Sequence, residues 1–130
     1  TGVHQDQSSF WLAPFESVEY KYTLSEGQSM VFEWRALSDM PADVIFEMHS
    51  EIDADPEQSV TFELSRGDAQ RGTFVAPFSG VHGWYWENRG VGEVEVMLQA
   101  TGFFTQGTTY GPSGAFTKVI GKDAEPKTAE

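Results

Sequence analysis

No cysteine occurs anywhere in this 130-residue chain. That excludes disulfides, thiolate metal centres and a cysteine nucleophile together, and it leaves the compartment open. Basic residues are also scarce. Eight Lys and Arg stand against 20 Asp and Glu, for a net charge of −12. A surface that negative repels phosphate backbones and anionic headgroups, so nucleic acid and a membrane surface are poor partners for it, while cations, basic partners and neutral ligands stay open. No apolar run approaches the roughly 18 residues that a membrane helix needs, so no segment of this chain is expected to insert. Apolar residues spaced i, i+3, i+4, i+7 over three turns are missing too, and almost no helix is expected. Nucleophile elbow, phosphate loop, HExxH and dinucleotide fingerprint are all absent, so the chain reads as a non-enzyme. An initiating Met is lacking, which points to a removed signal peptide or anchor, or to a trimmed chain.

What the chain has in quantity is aromatic residues (14%), glycine (13 residues) and short alternating segments. The length suits one domain with one real core. Val18, Tyr20, Tyr22 and Leu24 alternate with Glu19, Lys21 and Thr23, as in a strand with one wet face. After the turn Glu26-Gly-Gln28 the alternation resumes with Met30, Phe32, Trp34 and Ala36, so the two segments predict a hairpin. Further strands are expected over 43–49, around Val60, Phe62 and Leu64, over 72–76, over Gly80–Asn88 and over 92–100. Seven to eight short strands at roughly ten-residue spacing predict an all-β antiparallel sandwich or jelly roll.

Four regions follow from this: an N-terminal arm over 1–16, a sandwich over 17–104, a C-terminal extension packing on it over 105–120, and a tail over 121–130. In the arm, residues 1–9 are polar and read as loose, while Phe10-Trp-Leu12 suits an edge strand or lid; the tail, without apolar residues to bury, reads as disordered. The run Gly80–Asn88 packs His82, Trp84, Tyr85 and Trp86 into nine residues and carries bulk on both faces, so it is expected to be central and covered on both sides.

The order Gly72-Thr-Phe-Val-Ala76, the turn Pro77-Phe-Ser-Gly80, an aromatic strand ending at Asn88 and an alternating closing strand resemble the GOLD domain of the emp24/p24 proteins. More closely, Ile45-Phe-Glu-Met-His-Ser-Glu51 and His82-Gly-Trp-Tyr-Trp-Glu-Asn88 are similar to a bacterial family labelled transmembrane anchor protein. Its members carry an N-terminal membrane helix followed by a GOLD-like extracytoplasmic domain. The resemblance spans roughly 17–104 and implies a GOLD-like sandwich, a periplasmic address and an anchor outside this chain. It implies no activity. Tyr85 stands where a cysteine of the eukaryotic lumenal domains would fall, so cargo reception does not carry over.

Three functional readings remain. The leading one is an extracytoplasmic interaction or accessory domain with a protein partner. The second is a copper or zinc protein in which His49, Glu51 and His82 supply three ligands, with Met48 or Glu87 beside them. Its plainer alternative has His82 capping an aromatic stack and His49 bonded to a loop carbonyl. The third is a carbohydrate-binding jelly roll that stacks sugars on Trp11, Trp34, Trp84 and Trp86, with Glu87 and Tyr110 as further ligand- or partner-binding candidates. Trp84 and Trp86 suit a core equally well, which leaves Trp11 and Tyr110 as the freer aromatics. Asp53, Asp55 and Glu57 alternate carboxylates but lack the spacing of a calcium loop, and read as solvated.

Overall fold

Alternating segments need a partner layer for each apolar face, and here two sheets supply it to each other. The computed structural model describes residues 2–120, apart from the side chain of Pro56; the tail expected over 121–130 lies outside the described residues. Among the described residues there are ten strands and no helix: β1 (His4–Leu12), β2 (Ser17–Leu24), β3 (Ser29–Leu37), β4 (Val44–Ile52), β5 (Asp55–Arg66), β6 (Ala69–Val75), β7 (Gly80–Asn88), β8 (Val94–Gly102), β9 (Gln106–Gly111) and β10 (Gly114–Val119). They form an antiparallel sandwich of a four-stranded sheet, ordered β1-β8-β3-β6, and a six-stranded sheet, ordered β10-β9-β2-β7-β4-β5.

The core is the set of inward residues that the alternation predicts. Tyr20 and Tyr22 of β2, Trp84 and Trp86 of β7, and Phe46 and Met48 of β4 face Met30, Phe32 and Trp34 of β3 and Val96 and Leu98 of β8, all buried. Trp84 and Trp86 stack at 5.8 Å, while Phe32 meets Trp84 edge-on at 4.9 Å and Trp34 meets Trp86 edge-on at 5.7 Å. Buried indoles still need acceptors. Gln70 Oε1 accepts from both Trp34 Nε1 (2.9 Å) and Trp84 Nε1 (3.2 Å), and its amide donates to Glu63 at 2.6 Å.

Four expectations need correcting. The segments β2 and β3 do not form a hairpin: β2 pairs with β7 and β9, and β3 with β6 and β8, so the turn at Gly27 (φ 86°) carries the chain across the edge of the core. Turn residues specify a reversal, and the sheet that the chain enters next is decided by where each apolar face finds cover. The polar arm is ordered, because β1 pairs with β8 along its whole length, from His4 opposite Gly102 to Leu12 opposite Val94. Strand β5 begins at Asp55, five residues before Val60, since an exposed edge strand tolerates polar side chains. And β7 is central in its sheet, but only its inner face is fully covered; Val81, Tyr85 and Glu87 on the other face are half-buried.

One buried carboxylate ties the two sheets together. Asp6 of β1 accepts hydrogen bonds from Tyr20 and Tyr22 of β2, both at 2.7 Å, and from Ser8 at 3.1 Å; Lys118 of β10 lies 2.6 Å from its other oxygen. Burial alone would raise the Asp6 pKa, but the bonds from Lys118, Tyr22 and Tyr20 outweigh it and hold the carboxyl below its ordinary value. Burial is the main cause that pushes both tyrosines well above theirs; Asp6 adds to it at each, after the neighbouring Tyr20 in the case of Tyr22.

Candidate functional site

Strand register decides which candidate residues meet. On β4 and β7, Ser50 lies opposite His82 and His49 lies opposite Gly83. Successive side chains point to opposite faces, so His82 points inward and His49 outward with Glu47 and Glu51. The trio His49, Glu51 and His82 therefore does not assemble. Among the described residues no three His, Asp or Glu side chains come together as a metal requires.

His82 is fully buried against the rings of Phe74 and Phe78, at 5.2 and 5.4 Å, and its Nδ1 lies 2.6 Å from Ser50 Oγ. A serine–histidine pair is the start of a nucleophilic site, but Ser50 is 1% exposed and no substrate reaches it. His49 instead belongs to a charged cluster on the outer face. Its Nε2 lies 3.4 Å from Glu19, and the fully buried Lys21 ammonium lies 3.0 Å from Glu51 and 3.5 Å from Glu19. Half-buried Tyr110 closes over Lys21, with its ring centre 4.9 Å from the ammonium. Gly83 makes this close packing possible, since a Cβ there would stand 2.1 Å from the Tyr20 carbonyl oxygen. The Glu51 carboxylate thus neutralises a lysine.

Both imidazoles titrate below the ordinary 6.5: His82 through burial, opposed in part by backbone groups of Phe78 and Leu24, and His49 through burial and then Lys21, opposed by Glu19, Glu47 and Glu51. A depressed histidine leaves the unfolded chain binding more protons than the folded one. Its contribution to stability is complete above 6.5 and is lost as pH falls from there toward the folded pKa. Urea midpoints should therefore drop between about pH 7.5 and 5.5, and the slope should shrink in His82→Phe. A flat or rising profile on acidification contradicts this account.

The candidate surface lies at the end of the sandwich where β1, β3, β7 and β9 finish. Its organiser is the buried carboxamide of Asn88, which donates to the carbonyls of Leu12 and Gly92, each at 2.9 Å, and accepts from the Gly90 amide at 2.9 Å. The Asn88 backbone accepts from Phe15 (2.7 Å) and donates to Glu16 (2.9 Å), fastening the β1–β2 turn. In that turn Glu16 N–H donates to the Ala13 carbonyl at 2.9 Å, with Pro14 second and Phe15 third at φ 70°. A positive φ at the third position is the type II requirement, which glycine or asparagine normally meets. Here a phenylalanine pays it, and that phenylalanine is 74% exposed. Bulky residues held in this conformation are strained by about 1 to 2 kcal/mol and concentrate at functional sites.

Around Phe15 the same end displays Trp11 (61% exposed), Leu37, Met40 and Val91. Trp11 divides two clefts. One of about 400 Å³ is lined by Leu37, Asp39, Met40, Glu93 and Glu95; the other, of about 490 Å³, by Phe10, Phe15, Val18 and Pro112. Of the residues picked out from the sequence, Trp11 belongs here, while Trp84 and Trp86 are wholly in the core. Glu87 sits on the outer face of the six-stranded sheet, taking the Tyr85 hydroxyl and Arg89. Phe15, Leu37 and Met40 were not picked out from the sequence, Asn88 stood out there only as the end of its strand, and Pro14 before an aromatic was the sole local hint of the strained turn.

No protein-family model matches the chain, and no curated protein matches its sequence. Among solved structures it is similar to PliG of Aeromonas hydrophila, a periplasmic inhibitor of g-type lysozyme, at 18% identity and TM-score 0.52, over 78% of this chain and 89% of that one. A cupin-superfamily sugar phosphate isomerase from Silicibacter pomeroyi matches at 13% identity and TM-score 0.41, over 97% of this chain and 73% of that one. The first likeness shows a shared β fold, and the second carries no argument.

Proposed function

We propose that this chain is a non-enzymatic protein-interaction domain that works outside the cytoplasm, as the GOLD-like part of a membrane-anchored protein, and docks its partner through the Trp11–Phe15 end of the sandwich. One observation carries the docking reading: two large aromatics stand exposed at one end of the sandwich, Trp11 on β1 and Phe15 on the turn that follows it, where its backbone is strained. Exposed aromatics on rigid supports are the usual anchors of protein interfaces, and strain of this kind is retained where it serves binding.

The extracytoplasmic address is supported by the resemblance of the His82–Asn88 run to membrane-anchored bacterial proteins. PliG adds the case of a similar fold in a periplasmic inhibitor of g-type lysozyme. Photo-cross-linking tests the reading. With benzoylphenylalanine at position 15 in the cell envelope, a discrete protein adduct is expected; at Val31, exposed on the outer face of β3 toward the other end, none is expected. Equal labelling from both positions, or none from position 15, would remove the proposal.

A further inference from the structure

We propose that the cleft between Trp11 and the β3–β4 loop is the receptor for an arginine side chain on the docked partner; this rests on the interaction reading above and specifies its chemistry. The cleft is built across three strands. Trp11 of β1 and Leu37 of β3 both stand directly opposite Glu95 of β8, so an indole, a carboxylate and an isobutyl group form one row across the outer face of the four-stranded sheet. Side chains directly opposite are about 5 Å apart at Cβ, so Trp11 and Leu37 flank the Glu95 carboxylate on either side.

Asp39 and Met40 come from the β3–β4 loop and Glu93 from the β7–β8 loop, closing the other side. These loops are held in place. Ser38 Oγ donates to the Glu93 carbonyl at 2.7 Å, the Asn88 carboxamide holds the Gly92 carbonyl at 2.9 Å, and Met40 lies over Gly92, where a Cβ would approach its Cγ to 2.8 Å.

The charge at this cleft is unbalanced. Among the described residues no lysine or arginine pairs with Asp39, Glu93 or Glu95: Arg35, two residues before Leu37, is 3.8 Å from Glu33, and Arg89 is taken by Glu87. Three carboxylates around an exposed indole call for a planar cation that can lie on the ring and donate several hydrogen bonds at its edge. Guanidinium stacks flat on the ring while its edge donates in a fixed fork; an ammonium also sits over a ring, as Lys21 does over Tyr110, but as a point charge without that fork. The cleft on the far side of Trp11 is lined by Phe10, Phe15, Val18 and Pro112 along with Glu16 and Ser17, and its apolar part suits a large apolar side chain adjacent to that arginine. The motif expected on the partner is therefore an apolar residue next to an arginine, on a basic surface that the −12 charge of this chain attracts.

The experiment is an NMR titration of the isotope-labelled protein with the peptide amide Ala-Phe-Arg-Ala, and with versions carrying lysine or the neutral isostere citrulline in place of arginine. The arginine peptide should shift the Trp11 indole N–H and the Leu37 and Glu95 amides saturably. Citrulline should bind at least tenfold more weakly, lysine should fall between, and Glu93→Gln/Glu95→Gln should lose the arginine preference. Equal binding of arginine and citrulline would overturn the proposal. So would shifts centred on Asp53, Asp55 and Glu57, or an indole that responds only to a neutral oligosaccharide. Cross-linking from position 15 separates this from the parent reading: adducts that persist undiminished in Glu93→Gln/Glu95→Gln would leave docking standing and refute the arginine receptor.

Discussion

Asp6→Ala should destabilise the domain by about 3 kcal/mol or more, among the largest effects of any single polar substitution in it. The carboxylate is 7% exposed and accepts both buried tyrosine hydroxyls. Its removal leaves Tyr20 and Tyr22 donors unpaired in the core, at roughly 1 to 3 kcal/mol each. Lys118 adds little, because its side chain is 46% exposed and solvent takes over its charge. Asp6→Asn, which keeps an acceptor, should cost less than half as much. In a Tyr20→Phe/Tyr22→Phe background the same Asp6→Ala change should be much milder, since the donors it orphans are gone. Urea unfolding of the four variants checks this, and an unchanged cost in the double-phenylalanine background would show that Asp6 acts otherwise.

Asp6 also explains why the first strand was illegible. Its sequence, His4-Gln-Asp-Gln-Ser-Ser9, looks solvated, and the residue that points inward is a carboxylate whose partners lie on β2 and β10, beyond any local pattern. Strands β2, β3, β7 and β8 were readable because each buries one alternating face, whatever its neighbours are. What alternation lacks is register between strands. His49 and His82 each belong to a recognisable strand, but a one-residue offset in pairing decides whether two side chains share a face. The offset here places them on opposite faces. The aromatic run Gly80–Asn88 stood out in the sequence; its tryptophans serve burial, while its closing asparagine fastens the end of β1 at Leu12 and the turn that carries Phe15.

That arrangement makes an unusual combination of effects the expected result at Phe15. Phe15→Gly relieves the left-handed strain, worth about 1 to 2 kcal/mol, against a glycine entropy cost of roughly 0.5 to 1 kcal/mol. Stability should be unchanged or up to about 1.5 kcal/mol higher, while binding is lost. Trp11→Ala removes the wall between the clefts and, being 61% exposed, should cost little in folding. Two anchors at about 1.4 kcal/mol each or more give at least a hundredfold loss of affinity for the double variant.

The most direct measurement is therefore the affinity of Trp11→Ala/Phe15→Gly for the partner captured from position 15, taken beside its unfolding midpoint. At least a hundredfold weaker binding with a midpoint near that of the parent protein is the predicted result. Affinity equal to that of the parent would contradict the assignment of this end of the sandwich as the docking face.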